Sequence, residues 1–473
     1  MNLFNLKNQK KTLIQISTII IILLHLADYT YMFQLFSIAG YGFTFTDLMF
    51  VIAYLSVAYQ FFVQKRVFTF LETKVLYSII LLTLSFILSA IGLMTWGNDA
   101  SLIQYFKTLS HFIYVSLWGV FLLGSEIKPD AYFKLIRVIL VASLLINIYA
   151  IYQLFARIYD LPLAYIQISN QQFLTRGFDK ELGEANQIVL KFENFYRATS
   201  IFSEPSALAS FNLMNVIFLI VPKASKVKPF IQKNWLNNLI LIFVLIALML
   251  SFSLTGLSLI SVFLISLIVI NKINITKIIK NFIIFAVLLI VVDQIVSNYT
   301  NISVLNLFYQ RVEGLIANSP QKGEMVVGES APDRIASIKN AITLYKESPI
   351  FGIGLGNTYF HPKSTARFAQ SAFFGVLSEA GIIGAIALIF FYFNSFRGSL
   401  FVHYETFNTQ AFSPELATMQ TLPIFILILT IVSGILTSDT LITTSYWSTF
   451  GIFASTYKST LLLKNRNSLS ASS

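Results

Sequence analysis

About twelve stretches of apolar sequence, each long enough to cross a hydrocarbon layer as a single helix of roughly 17 to 25 residues, recur along the chain. They fall near 13–30, 44–64, 75–95, 102–123, 132–155, 205–221, 236–254, 256–271, 279–296, 371–393, 421–437 and 441–457. Inside lipid every backbone N–H and C=O has to be satisfied within the protein, which leaves only helices or a closed barrel. Uninterrupted runs of this length are far longer than barrel strands. The expected fold class is therefore an all-α polytopic membrane protein of about 12 transmembrane helices. Composition excludes a soluble globule, since 56% of the residues are hydrophobic and only 12% charged. The first run follows Lys7, Lys10 and Lys11 with no small-residue cleavage site after it, so it reads as a membrane helix rather than a leader. There is no cysteine, which removes disulfides, thiolate metal sites and thiol catalysis.

Charge sets the expected orientation. Most of the 33 lysines and arginines lie at the termini or in the connections holding Lys65, Lys128, Lys223, Lys272 and Arg397. The short connections 97–101, 254–256 and 438–440 hold none. The positive-inside rule then makes both termini cytoplasmic. A net charge of +11 reads as a basic rim facing anionic lipid, with no nucleic-acid partner implied. Two long outer loops remain, 157–203 and 297–370, and loops of this length are usually functional. The chain otherwise reads as one transmembrane domain over 1–473, without internal repeats or linkers, and the polar tail from Asn465 is expected to be disordered.

The most polar long segment, 330–384, leads directly into an apolar helix. Ser330, Pro332 and Asp333 suit a helix start. Ile335, Ile338, Ile342 and Tyr345 then recur at helical spacing, predicting a short amphipathic helix from Arg334 to Lys346 that ends before Pro349. Gly352, Gly354 and Gly356 follow at alternate positions, where the backbone can turn sharply or approach a ligand. The run Pro349–Asn357, an arginine opening the helix before it, and Glu379-Ala380-Gly381 with Gly384 after it resemble the O-antigen polymerase and O-antigen ligase superfamily. The ligase branch usually has a histidine nine residues before that glutamate. Gln370 stands there instead, which favours the polymerase branch.

A second candidate constellation closes the first outer loop. Arg197 precedes Phe202-Ser203-Glu204-Pro205, in which Ser203 can cap and Glu204 and Pro205 suit the first turn of a helix. The same phrase resembles one common in polysaccharide polymerases, which points to a carboxylate at the outer membrane edge. Arg334 reads either as a solvated helix residue paired with Asp333 or Glu347, or as a clamp, because a guanidinium forks onto phosphate oxygens. Arg197 and Arg176 are the other clamp candidates. Lys107 either snorkels to the interface or turns inward toward a phosphate or Glu379. An intramembrane carboxylate such as Glu379 is a functional candidate by default. On one straight helix, however, Gln370 and Glu379 point to opposite faces, so Glu379 is expected to pair with another helix. His361 is a conceivable general base, and Gly354, Gly356 and Asn357 either approach a ligand or simply make a tight turn. No His, Asp or Glu cluster has metal-ligand spacing, and the glycine run lacks the strand–turn–helix setting of a nucleotide site.

The resemblance implies a GT-C-like membrane glycosyltransferase in the bacterial cytoplasmic membrane, acting on its outer face without metal or other cofactor. It implies an undecaprenyl-diphosphate-linked oligosaccharide as donor and another as acceptor, so that repeat units grow into O-antigen, capsule or exopolysaccharide. Glu204, Gln370 and Arg334 are the expected catalytic residues on this reading. Arg197, Arg176, Lys107, Gly354, Gly356, Asn357, His361 and Glu379 are the expected substrate contacts. A chain-length regulator and a flippase are the implied protein partners. The alternatives are an O-antigen ligase, or a flippase or transporter of lipid-linked sugars, which usually has internal repeats and short outer loops.

Overall fold

The computed structural model describes residues 12–38, 41–169, 187, 191–192, 195–272, 331–365, 371–408, 413–436, 441 and 443–471, with scattered positions between 287 and 309. Its helices are α1 (Thr18–Asp28), α2 (Phe45–Phe62), α3 (Thr73–Leu88), α4 (Ala90–Leu93), α5 (Asp99–Gly124), α6 (Pro129–Ile158) and α7 (Pro205–Ala224). These are followed by α8 (Asn234–Leu250), α9 (Leu254–Asn271), α10 (Ala331–Glu347), α11 (Ala372–Asn408), α12 (Pro414–Gln420), α13 (Pro423–Leu436) and α14 (Thr444–Ala471). Two antiparallel hairpins accompany them, β1 (Gln34–Ile38) with β2 (Tyr41–Thr44) and β3 (Lys191–Phe192) with β4 (Phe195–Tyr196). Among the described residues, eight helical stretches are long and apolar enough to cross a membrane, and α1 and α8 are shorter apolar helices. The chain is an all-α polytopic membrane protein.

Local chemistry sets the helix boundaries. Thr44 and Asp47 form a reciprocal capping box at the start of α2, with Thr44 N donating to Asp47 Oδ2 at 2.8 Å. Proline occupies the first turn of α6 and of α7, where its missing N–H costs nothing. The first membrane helix begins at Thr18 rather than near 13, because Ser17 caps it and the residues before it are engaged elsewhere: Leu13 bridges Val67 and Gln15 bridges Glu126. The tail expected to be disordered from Asn465 is instead helical, since α14 continues to Ala471. Lys464 anchors it through an ion pair with Glu405 at 2.6 Å. The run expected at 279–296 lies largely outside the described residues, and α14, which covers the run at 441–457, is not among the eight long apolar stretches.

The core is rich in aromatic side chains. Trp118 on α5 and Trp447 on α14 are almost fully buried, and Phe391 on α11 lies 6.0 Å from the Trp447 ring. Gly119 has no side chain because a Cβ there would overlap Trp447. One polar pair links helices inside the bundle, where Asn394 Nδ2 on α11 donates to Ser78 Oγ on α3 at 2.8 Å. Lys458, 6% exposed, ties α14 to the end of α5 by donating to the carbonyls of Thr69, Gly124 and Ser125 at 2.9–3.0 Å. α6, with 30 residues, is about 45 Å long and separates two ends of the bundle. One end gathers Arg157, the start of α7, the α8–α9 turn, α10 and the end of α13. The other gathers the start of α1, the end of α2 and the α5–α6 connection.

Candidate functional site

Arg157, in the last turn of α6, organises the first of these ends. It is 2% exposed, and its guanidinium donates to Ala164 O (2.9 Å), Arg197 O (2.6 Å), Gln187 Oε1 (2.9 Å) and Thr199 Oγ1 (2.6 Å). Gln187 in turn donates to the carbonyls of Ser200 and Phe202 at 2.6 and 2.7 Å. Residues 197–203 are thereby fixed as they lead into α7. Arg197, 1% exposed, donates from Nε to Ser251 O at 2.8 Å, beside a backbone bond from Ala198 N to Leu250 O at 3.0 Å. The α8–α9 turn is thus stapled to the end of the first loop.

Glu204, not Ser203, is the cap residue of α7, with extended backbone and no side-chain bond to the helix N–H groups. The proline decides this: Pro205 takes the first helical position, so the residue before it must be the cap. Ser203 is left to share a 2.8 Å hydrogen bond with the Tyr31 hydroxyl. Glu204 is half-buried, and its carboxylate accepts from Ser206 Oγ. Arg334, in the first turn of α10, donates from Nη1 to Leu436 O, at the end of α13, at 2.9 Å. Its Nη2 donates to Thr255 Oγ1 at 3.0 Å. Arg197 and Arg334 therefore attach four residues apart on the same 251–255 turn. α7 packs there as well, because a Cβ on Gly256 would stand 2.9 Å from Ala209 Cβ. Arg197 and Arg334, distant in sequence, thus meet on one turn at the end of the bundle where Glu204 caps α7.

The glycine run makes a second structure at the same end. Gly352, Gly354 and Gly356 have φ of +73°, +101° and +73°, so all three lie in the left-handed region. The loop docks into a break in α11, where Gly381 takes φ +65° and ψ −164°. In an unbroken helix the carbonyls of Ser378 and Glu379 would accept from residues 382 and 383. They accept instead from Ile353 N (2.9 Å) and Gly354 N (3.0 Å), while Ile382 N donates to Pro349 O at 2.8 Å. Glu379 seals the junction, its carboxylate accepting from Gly356 N and from Thr358 Oγ1, each at 2.7 Å. The expectation of a straight helix is corrected: the helix is interrupted, and Glu379 holds the loop. Gly354 and Gly356 face protein, the former against Leu93 and the latter against Thr108 on α5. Asn357 is fully buried, with Nδ2 donating to Leu355 O at 3.2 Å and Oδ1 without a hydrogen-bond partner.

His361 is 7% exposed, with its ring edge-on to Trp96 at 4.6 Å and its Nδ1 accepting from Lys363 N at 3.3 Å. Burial lowers its pKa, Glu347 opposes that shift, and Lys363 adds to it. Lys363 pairs with Glu347 at 2.7 Å, and that contact holds the Glu347 carboxyl below its usual value. Lys107 is exposed on α5, one residue before the Thr108 that meets Gly356. α10 forms as expected but turns a different face inward. Ile335 is 51% exposed, whereas Ser337, Asn340, Ala341 and Leu344 are buried. The reason is polar: Asn340 binds Ser364 Oγ at 3.2 Å and Thr365 N at 2.9 Å, which draws its face against the following loop. Arg176 and Gln370 lie outside the described residues, as does much of both outer loops. The sequence reading missed Arg157 and Tyr31. The signal for Arg157 was an arginine in the last turn of an unusually long membrane helix.

No curated protein matches the chain. A family model described as O-Antigen ligase matches residues 239–389. The matched stretch contains the 251–255 turn, Arg334, the glycine loop and the broken helix with Glu379, and ends before Arg197 and Glu204 are reached on its N-terminal side. Residues 239–389, about a third of the chain, are thus similar to the O-antigen ligase family.

Proposed function

We propose that the chain is a polymerase that transfers a growing glycan from undecaprenyl diphosphate to a sugar hydroxyl of another lipid-linked repeat unit. The observation that carries the reading is the attachment of Arg197 and Arg334 to the same 251–255 turn, against which α7, the helix that Glu204 caps, also packs. The acceptor oxygen attacks the anomeric carbon, the bond from that carbon to the phosphate oxygen breaks, and undecaprenyl diphosphate leaves with the electron pair. Glu204 takes the acceptor's proton. Arg334, partly exposed and held in a fixed plane by two acceptors, stabilises the charge growing on the diphosphate. Arg197, too buried to meet a ligand directly, acts as a positioning residue through Ser251. Gln370 and Arg176 complete the substrate contacts, with Lys107 at the rim. Gly354, Gly356, Asn357, His361 and Glu379 build the wall that carries Arg334's helix. Glycosyl transfer on this account uses no metal, and the site faces the outer side of a bacterial cytoplasmic membrane.

A second reading, ligation of a finished glycan onto a different acceptor, is favoured by the description of the matching family. Gln370 in the place of the ligase histidine weighs against it. The test uses the purified full chain and a synthetic lipid-diphosphate repeat unit, with products resolved on a gel with and without a chelator. Polymerisation gives a ladder that survives the chelator and collapses in Arg334→Ala and Glu204→Gln. A single transfer, made only when a non-repeat acceptor is added, replaces polymerase with ligase. Passage of the intact unit across a reconstituted bilayer with no glycan product replaces both with a transporter.

A further inference from the structure

At the end of the bundle opposite the candidate site, a cavity of about 420 Å³ opens between the start of α1, the end of α2 and the α5–α6 connection. Its wall is polar and already ordered. Gln60, 9% exposed, accepts from Gln15 N at 2.9 Å and from Arg66 Nη1 at 3.1 Å, and returns Nε2 to Gln15 O at 2.9 Å. Gln15 Nε2 reaches Glu126 Oε2 at 3.3 Å. Lys128 completes the lining from the cap position of α6. Two cations and one carboxylate leave the cavity with one net positive charge, set among amide groups. Directly beside the lining residues Thr18 and Ser56, the packed pair α1 and α2 presents Ile19 and Leu55 outward, 67% and 64% exposed, with Leu23 one turn further along. A polar, singly cationic cup continues into an apolar, outward-facing surface.

We propose that this cavity binds one phospholipid whose headgroup is a hydroxylated, singly charged phosphodiester, as in phosphatidylglycerol. Arg66 uses one N–H on Gln60 and turns the rest of its fork to the phosphate, with Lys128 as the second cation. Glu126 accepts a hydroxyl of the headgroup, which selects against a headgroup without one. The acyl chains run down the apolar ridge of α1 and α2. The charge balance sets the choice of a monoanion, and the apolar continuation sets the choice of a lipid over a free phosphate.

Purified, delipidated full chain is titrated in detergent with phosphatidylglycerol or phosphatidylcholine, and retained lipid is counted by native mass spectrometry. Phosphatidylglycerol is expected to be retained in preference. The double variant R66Q/K128Q is expected to bind it about thirtyfold more weakly, and Lys128→Gln alone, at an exposed position, about fivefold. Glu126→Gln is expected to narrow the difference between the two lipids. Water-soluble glycerophosphoglycerol and inorganic phosphate are expected to leave the lipid in place. Equal retention of both lipids, unchanged retention in Lys128→Gln, or displacement by the soluble phosphates overturns the proposal. Should R66Q/K128Q fail to fold, the single variant and the competition arm still decide.

Discussion

Arg334 shows how much one side chain can depend on its geometry. Its two terminal nitrogens engage Leu436 O and Thr255 Oγ1 from a single plane, which on the proposed function fixes where the guanidinium would meet a diphosphate. A lysine keeps the charge and loses the plane. Arg334→Lys is therefore expected to retain KM within a few-fold while kcat falls about a hundredfold, the scale of a one-ångström misplacement. Equal kcat in the two proteins would dispose of the clamp. His361 supports a different kind of prediction. Burial lowers its pKa in the folded protein, so as pH falls through the ordinary histidine value of 6.5 the unfolded chain binds a proton first. Its contribution to stability is complete above 6.5 and declines below it. The melting temperature is expected to fall between pH 6.5 and 5, and to fall less in His361→Gln; parallel curves for the two proteins refute the assignment. Arg197, Glu204 and Arg334 stand out in the sequence as candidates because charge is scarce in such a chain and therefore conspicuous. Arg157 was not, since an arginine at the end of a membrane helix reads equally well as a snorkelling charge. The cap of α7 was misplaced by one residue because the rule for serine was weighed above the stronger constraint from Pro205.

At the scale of elements, the glycine loop and the interrupted α11 are one device. Each supplies the backbone partners that the other lacks, and Glu379 fixes the pair by binding Gly356 N and Thr358. Glu379→Gln keeps one acceptor oxygen, whereas Glu379→Ala leaves the half-buried Gly356 N–H and the buried Thr358 hydroxyl without that acceptor, which costs about 1–3 kcal/mol. The alanine variant is thus expected to melt lower than the glutamine variant, and the reverse order would break the argument. Gly381→Ala meets a harder obstacle. Its Cβ would overlap Ile350 O, and its φ of +65° costs about 1–3 kcal/mol for any other residue. Both losses fall on the loop that holds α10, so Gly381→Ala is expected to lower melting temperature and glycan transfer together. The three alternate glycines and the helix before them were legible from spacing. The inward face of α10 was not, because Asn340 is buried by bonds to Ser364 and Thr365 that no apolar periodicity reveals. Nor was the helix break, since Glu-Ala-Gly inside an apolar run differs little from ordinary small-residue packing.

At the scale of the molecule, length and hydrophobicity made the all-helical fold legible, while the number of crossings depends on where each helix ends. Short helices such as α1 and α8, and the single stretch formed by α12 and α13, blur a count made from apolar runs alone. Direction across the membrane comes from charge, and it decides which end of the bundle meets extracytoplasmic substrate. The basic residues cluster at the end that holds Arg66 and Lys128, while Glu204, Arg334 and the glycine loop gather at the other. On the proposed function the positive-inside rule predicts that the candidate site lies outside. Because the chain has no cysteine, this is open to a clean measurement with single cysteines and a membrane-impermeant maleimide on intact cells. Ala100→Cys and Lys363→Cys, both exposed positions at the candidate-site end, are expected to react. Lys65→Cys, exposed at the opposite end, is expected to react only after the cells are permeabilised. The inverse pattern would place Arg334 and Glu204 in the cytoplasm, where polymerisation on outward-facing carriers is impossible. The lipid cavity would then lie in the outer leaflet, so one labelling experiment fixes the side of both sites.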